Sequence, residues 1–175
     1  MTPIATPPLD NWPDRWRHPA FWIGTWFGTG LMKPAPGTWG SLAALPVGWL
    51  LLSLGGPVAL IVASLALFGL GIWAATVFFA KTGRHDVRQI VVDEVVGQWL
   101  PLLAVGALPV DRSAGWLEYL LAFALFRLFD VVKPWPIGWL DRHVHGGVGV
   151  MLDDIVAGLF ALACVWLLAL YWWPF

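Results

Sequence analysis

Charge is what this chain has least of. Asp, Glu, Lys and Arg make up 12% of its 175 residues, about half the share found in soluble domains. Tyrosine is scarce, with 2 residues beside 14 Trp, and cysteine is reduced to Cys164. A lone cysteine excludes an intrachain disulfide, and no nearby Cys or His completes a zinc site, so Cys164 reads as a small buried apolar residue. With 59% hydrophobic residues and a mean hydropathy of +0.73, the chain has more apolar surface than a soluble monomer of this size buries. A disordered chain is excluded by the same numbers. The formal net charge of -1 lacks the basic excess that nucleic acid demands. No secretory leader is expected either, because the first 22 residues mix prolines with Arg15, Arg17 and His18 in place of an apolar run. What remains is an all-α, polytopic membrane helix bundle.

Apolar runs place about four to five spans. The stretch 41–54 is short and interrupted by Pro46, which suits either a half-helix or a crossing. Gly55-Gly56-Pro57 breaks the chain. The uncharged stretch 58–80 is long enough for a hydrocarbon core of about 30 Å. Further spans are expected at 90–108, 116–129 and 153–173, with a turn at 109–115 and a Gly- and Pro-rich connection at 131–150. Residues 1–23 read as an N-terminal cytoplasmic or interfacial segment, and 24–175 as the membrane-embedded domain. With the N-terminus cytoplasmic, Arg15, Arg17, Lys33, Lys81, Arg84, Arg88, Arg127, Lys133 and Arg142 share one side and Arg112 stands alone on the other. That asymmetry follows the positive-inside rule. Trp12, Trp16 and Trp22 at one end, and Trp172 and Trp173 at the other, suit interfacial belts.

On this topology the acids converge. Asp93 and Glu94 open the third span, Asp130 closes the fourth, and Asp153 and Asp154 open the fifth, all on the cytoplasmic face. An acid at a helix centre costs roughly 2.5–3.5 kcal/mol on insertion scales, less toward the interface. Acids at helix starts are favoured by the macrodipole, which accounts for one pair but not for three sites at one depth. Five like charges repel, and a divalent cation resolves the conflict. Oxygen ligands favour Mg²⁺, with Mn²⁺ and Ca²⁺ as alternatives. The segments 93–97 and 154–158 share the spacing D-x-V-x-G, which puts each acid one turn from a Gly that admits a neighbouring helix.

The connections carry complementary groups. Lys133-Pro134 should stop the fourth helix just past Asp130, leaving Arg127 and Lys133 as a phosphate clamp or as headgroup-seeking cations. Ahead of the first apolar helix, Thr38 or Ser41 is a natural N-cap, the free amides there suit an anion, and Lys33 adds charge. His85 and Asp86 are candidates to support the metal ligands, or plain loop residues. His143 and His145 are candidates for metal binding or proton shuttling, with loop capping as the simpler reading.

The segments PAPGTWGSLAALP (34–46), HD with IVVDEVVG (85–97), FRLFDVVKPWPI (126–137) and DRHVHGGVGVMLDDIVAG (141–158) together resemble the phosphatidylglycerophosphatase A family. The resemblance covers 24–158. It implies a bacterial inner-membrane enzyme of phospholipid biosynthesis, with Mg²⁺-dependent hydrolysis of phosphatidylglycerophosphate to phosphatidylglycerol and phosphate. Asp93, Glu94, Asp130, Asp153 and Asp154 are then expected to hold one or two Mg²⁺. Asp93, Glu94, Asp130 and Asp154 are also the expected catalytic acids, acting through attacking water or an aspartyl phosphate. Arg127, Lys133, Lys33, Thr38 and Ser41 are expected to hold the substrate, a membrane phospholipid. Oligomeric state leaves no mark in the sequence. The competing reading, an ion or proton transporter using intramembrane acids, fits less well, because transporters place their sites near the midplane.

Overall fold

A single glycine divides the longest helix. In the computed structural model, which describes residues 9–84, 87–107 and 115–172, α2 runs from Pro36 to Thr82 with Gly56 at φ 62 and ψ -162. Side-chained residues rarely adopt that backbone conformation, and Pro57 follows it directly. The break produces segments 36–55 and 57–82, roughly 30 and 39 Å long at 1.5 Å per residue. The first segment starts at Pro36, five residues before the apolar run at Ser41, and so reaches full crossing length where a half-helix was an option.

Six helices form in all among the described residues, without a strand: α1 (Pro19–Gly24), α2 (Pro36–Thr82), α3 (Val92–Gly106), α4 (Trp116–Val132), α5 (Ile137–His143) and α6 (Gly146–Trp172). Two helices, Pro36–Thr82 and Gly146–Tyr171, are long and apolar enough to cross a membrane. Their outer faces are apolar, with Val58, Leu65, Leu167 and Leu170 exposed. α3 and α4, with 15 and 17 residues, are roughly 22 and 25 Å long.

α3 is the central helix, packed against α2, α4 and α6. Its closest crossing is with α6, where the shared D-x-V-x-G spacing does its work. A Cβ on Gly97 would lie 2.7 Å from the Asp154 carbonyl oxygen and 2.6 Å from the Phe126 ring. A Cβ on Gly158 would strike the Gly97 carbonyl oxygen. Each glycine therefore permits the other helix's backbone to approach, and each acid one turn earlier faces the crossing. The Trp99 indole N–H donates to the Ala44 carbonyl at 3.0 Å, tying α3 to α2.

Three expectations are corrected. Asp153 and Asp154 do not open their helix; α6 starts at Gly146, two turns earlier, so both acids sit within a formed helix. The 131–150 connection is not all loop, since α5 occupies its middle. Trp12 is not interfacial: it is 1% exposed, edge-on to Phe78 at 5.2 Å and to Phe21 at 6.1 Å. Trp16 and Trp22 are exposed, as a belt requires. The segment from Leu9 to Ile23 packs onto α2 through Trp12, Ala20 and Phe21. Cys164 is half-buried. Trp173, Arg112 and most of the 109–115 turn lie outside the described residues, as does the side chain of Trp172.

Candidate active site

Helix starts and ends meet at one end of the bundle. α4 stops at Val132, as Lys133-Pro134 requires, and Lys133 turns the chain at φ 45 and ψ 57. This left-handed conformation costs a side-chained residue about 1–2 kcal/mol, and it sits beside a cavity of about 630 Å³. The cavity is bordered by Pro36 and Gly37 of α2, Asp93 and Glu94 of α3, Arg127 of α4, Lys133, Asp141 of α5, and His145 and Asp153 near and on α6. Arg88 closes the side that leads into α3.

Two kinds of carboxylate line this end. Asp93, Glu94 and Asp154 each offer an oxygen within 4.8 Å of the others. Asp93 Oδ1 accepts from the Glu94 backbone N–H at 3.0 Å, and Glu94 Oε2 is buried with no hydrogen-bond partner among the described residues. No cation of the chain pairs with these three among the described residues. The remaining acids are neutralised. Arg127 Nη1 lies 2.6 Å from Asp130 Oδ2. Lys133 Nζ donates to Asp141 Oδ1 and Asp153 Oδ2, both at 2.6 Å. Burial alone would lower the Lys133 pKa, but its hydrogen bonds and charge contacts with Asp141 and Asp153 outweigh that and raise it above the ordinary lysine range. The ammonium therefore stays charged throughout neutral pH. Asp130 joins the two groups, lying within hydrogen-bonding reach of Asp154.

The start of α2 completes the cavity. Its N-cap is Ala35, and no side chain caps the first amides. Thr38 and Ser41 are thus not the caps expected of them: the Ser41 hydroxyl donates back to the Gly37 carbonyl at 2.8 Å and lies 3.4 Å from Arg127 Nη1. Uncapped amides at a helix start form an anion site. Gly37 is pressed against the acids and their cation. A Cβ there would collide with Glu94 Oε1 and lie 3.2 Å from Arg127 Nη1.

The structure brings together Asp93, Glu94, Asp130, Asp153, Asp154, Arg127, Lys133, Ser41 and His145. It leaves Lys33 exposed and Thr38 half-buried, neither bordering the cavity. His143 points elsewhere, with Nδ1 2.8 Å from the Trp139 carbonyl oxygen and its ring stacked on the Trp139 indole. Both contacts lie within α5, so His143 packs along its own helix. His85 and Asp86 lie outside the described residues. Sequence reasoning missed Asp141, Arg88 and Gly37. Asp141 had a signal, because it opens the motif 141–158 that also carries Asp153 and Asp154. Gly37 lay inside the motif 34–46 but offered no side chain to read, and Arg88 had only its place between the motif residues at 85–86 and 90–97.

Comparison with known proteins shows the family of the chain. The profile of "Phosphatidylglycerophosphatase A" matches residues 22–169. The chain belongs to that family. A phosphatidylglycerophosphatase A of Haemophilus influenzae is 40% identical over 155 residues, covering 89% of this chain and 91% of the relative. One from Escherichia coli is 37% identical, covering 89% and 86%. A putative phosphatidylinositol-3-phosphatase of Bacteroides thetaiotaomicron is 42% identical over 148 residues, covering 82% and 89%. No solved structure matches. The phosphatidylglycerophosphatase A family is one of phosphatases acting on phosphate monoesters, and the chain is an enzyme of that class.

Proposed function

We propose that the chain hydrolyses phosphatidylglycerophosphate to phosphatidylglycerol and phosphate in a bacterial inner membrane, with the cavity facing the cytoplasm. The observation that carries this reading is the juxtaposition of a trio of acids without a cation partner, two of which (Asp93 and Glu94) line the cavity with Asp154 buried behind them, and the cations Arg88, Arg127 and Lys133 and the uncapped start of α2 on the same cavity. Two relatives named for this activity support the substrate. The basic residues gathered at the cavity end support its orientation.

The donor set fits a divalent ion. Asp93, Glu94 and Asp154 are clustered oxygen donors, and the buried, unpartnered Glu94 Oε2 lacks the counter-charge that a hard cation provides. Bound there, Mg²⁺ would supply neutralisation of phosphoryl charge and a more acidic water. The chain's own groups do the rest. The first amides of α2 and the Lys133 ammonium bind phosphoryl oxygens as charge develops in the transition state. Arg127, fixed by Asp130 and Ser41, orients the phosphoryl group from the side of α4. Asp130, next to Asp154 and outside the trio, takes the proton of the attacking water. The acyl chains remain in the bilayer while the headgroup enters at the interface.

The third relative's name differs in headgroup but shares the chemistry, a phosphomonoester on a lipid. A transporter is not favoured, because the acids sit at one end of the bundle around a cavity that cations also line. The test is phosphate release by purified protein from phosphatidylglycerophosphate and from phosphatidylinositol 3-phosphate, with Mg²⁺ and with EDTA. Mg²⁺-dependent release from the first lipid is expected. Release that survives EDTA would remove the metal, and release from the second lipid alone would replace the substrate.

A further inference from the structure

A second cavity lies on the outer surface, between the first segment of α2 and α4. It is a groove of about 410 Å³ lined by Leu45, Pro46, Trp49, Trp116, Tyr119 and Leu120. We propose that this groove holds one acyl chain of the lipid whose phosphorylated headgroup occupies the active-site cavity. The proposal rests on the functional reading above and extends it to the substrate's apolar half.

The argument is one of register. α2 and α4 meet at the active-site end through Arg127 Nη1 and Ser41 Oγ, 3.4 Å apart. From Ser41, Leu45 and Trp49 follow at i+4 and i+8, one and two turns along the same face of α2. From Arg127, Leu120, Tyr119 and Trp116 precede at i-7, i-8 and i-11, about two and three turns back on one face of α4. The helices run in opposite directions here, since α2 starts at the cavity and α4 ends there. Both counts therefore lead away from the headgroup site into the apolar part of the bundle. At 1.5 Å per residue the groove extends from roughly 6 to 16 Å beyond the Ser41–Arg127 contact. That is the depth of one leaflet, half of a hydrocarbon core of about 30 Å. A chain whose headgroup sits in the cavity has its first methylenes at the mouth of this groove. Trp49 and Trp116, 54% and 70% exposed, flank it as open apolar surfaces, and its lining carries no charged side chain.

The first experiment fills the groove. Leu45→Trp and Leu120→Trp are assayed for phosphate release from dipalmitoyl and dihexanoyl phosphatidylglycerophosphate beside the wild type. The expected result is a KM for the long-chain lipid raised about tenfold or more, since even single methylenes in an apolar pocket are worth 10-fold and upward. The short-chain kcat and KM should stay at wild-type values, which also shows that the variants fold. An equal change for both lipids, or none for either, overturns the proposal. The second experiment uses unaltered protein and phosphatidylglycerophosphate with a diazirine midway along one acyl chain. Photolabel concentrated at 45–49 and 116–120 is expected. Label spread evenly over the outer faces of α2 and α6 would mean ordinary lipid solvation and would overturn it. A wild type that hydrolyses neither lipid removes the functional reading and this one with it. A wild type that hydrolyses both, with unaffected groove variants, removes this one alone.

Discussion

Asp154 and Asp153 are neighbours on α6, yet they meet opposite surroundings. Asp153 is held by Lys133 at 2.6 Å, and the same ammonium holds Asp141. Asp154 faces the α3 crossing, where Asp93 and Glu94 supply only more negative charge. One set of acids is balanced by the chain, and the other is not. Consecutive residues on a helix point about 100° apart, so a single pair of acids feeds both sets. In the proposed function the counter-charge of the unbalanced trio comes from a divalent ion. The balanced acids hold Arg127 and Lys133, the two cations proposed to meet the phosphate.

Breaking the trio should have the largest effect. Asp154→Asn keeps the shape of the side chain and removes a donor, and kcat is expected to fall by more than about 10³, beyond the roughly 10²–10³ lost with a single transition-state hydrogen-bond donor. An Asp154→Asn enzyme with near-normal kcat would dissolve the distinction. Removing the shared cation comes next. Lys133→Met should cost about 10²–10³ in kcat by the same measure and leave metal binding in place. Loosening that cation should matter least: Asp141→Asn leaves Lys133 its Asp153 partner, and a loss of about tenfold is expected. The Lys133 contacts also fix a pH signature. Because the folded-state pKa is raised above that of a free lysine, their stabilisation is fully present below the unfolded-state pKa and is lost only as pH rises through the higher folded value. The difference in Tm between wild type and Lys133→Met should therefore be constant from pH 7 to about pH 9.5. A difference that collapses within that window would mean that Lys133 is not held as described.

Much of this was legible in the residues. The helix break at Gly55-Gly56-Pro57 and the end of α4 at Lys133-Pro134 follow from local rules, and the convergence of Asp93, Glu94, Asp130, Asp153 and Asp154 from the placing of the apolar runs. The start of α6 did not. Gly146, Gly147 and Gly149 read as loop because glycine disfavours helix interiors. In the fold, however, α6 begins at Gly146, which takes a φ of 79 that favours glycine, and Gly147 lies against the Ile72 backbone of α2, so these glycines serve the turn into the helix and its close approach to α2. Thr38 and Ser41 looked like caps because of their side chains. The helix instead begins earlier, at Pro36, where Pro suits the first turn. That shift leaves the amides open to the cavity. Gly37 was invisible as a site residue, since only the folded neighbours Glu94 and Arg127 reveal that no side chain fits there. Tertiary contacts chose these positions, and no periodicity encodes them.

The most direct test of the central distinction is Mn²⁺ binding, followed by electron paramagnetic resonance, to detergent-purified wild type, Asp154→Asn and Asp141→Asn. The account predicts a bound Mn²⁺ signal in the wild type and in Asp141→Asn, displaced by Mg²⁺, and its loss in Asp154→Asn. Binding that persists in Asp154→Asn but disappears in Asp141→Asn would place the cation among the Lys133-paired acids and contradict the account.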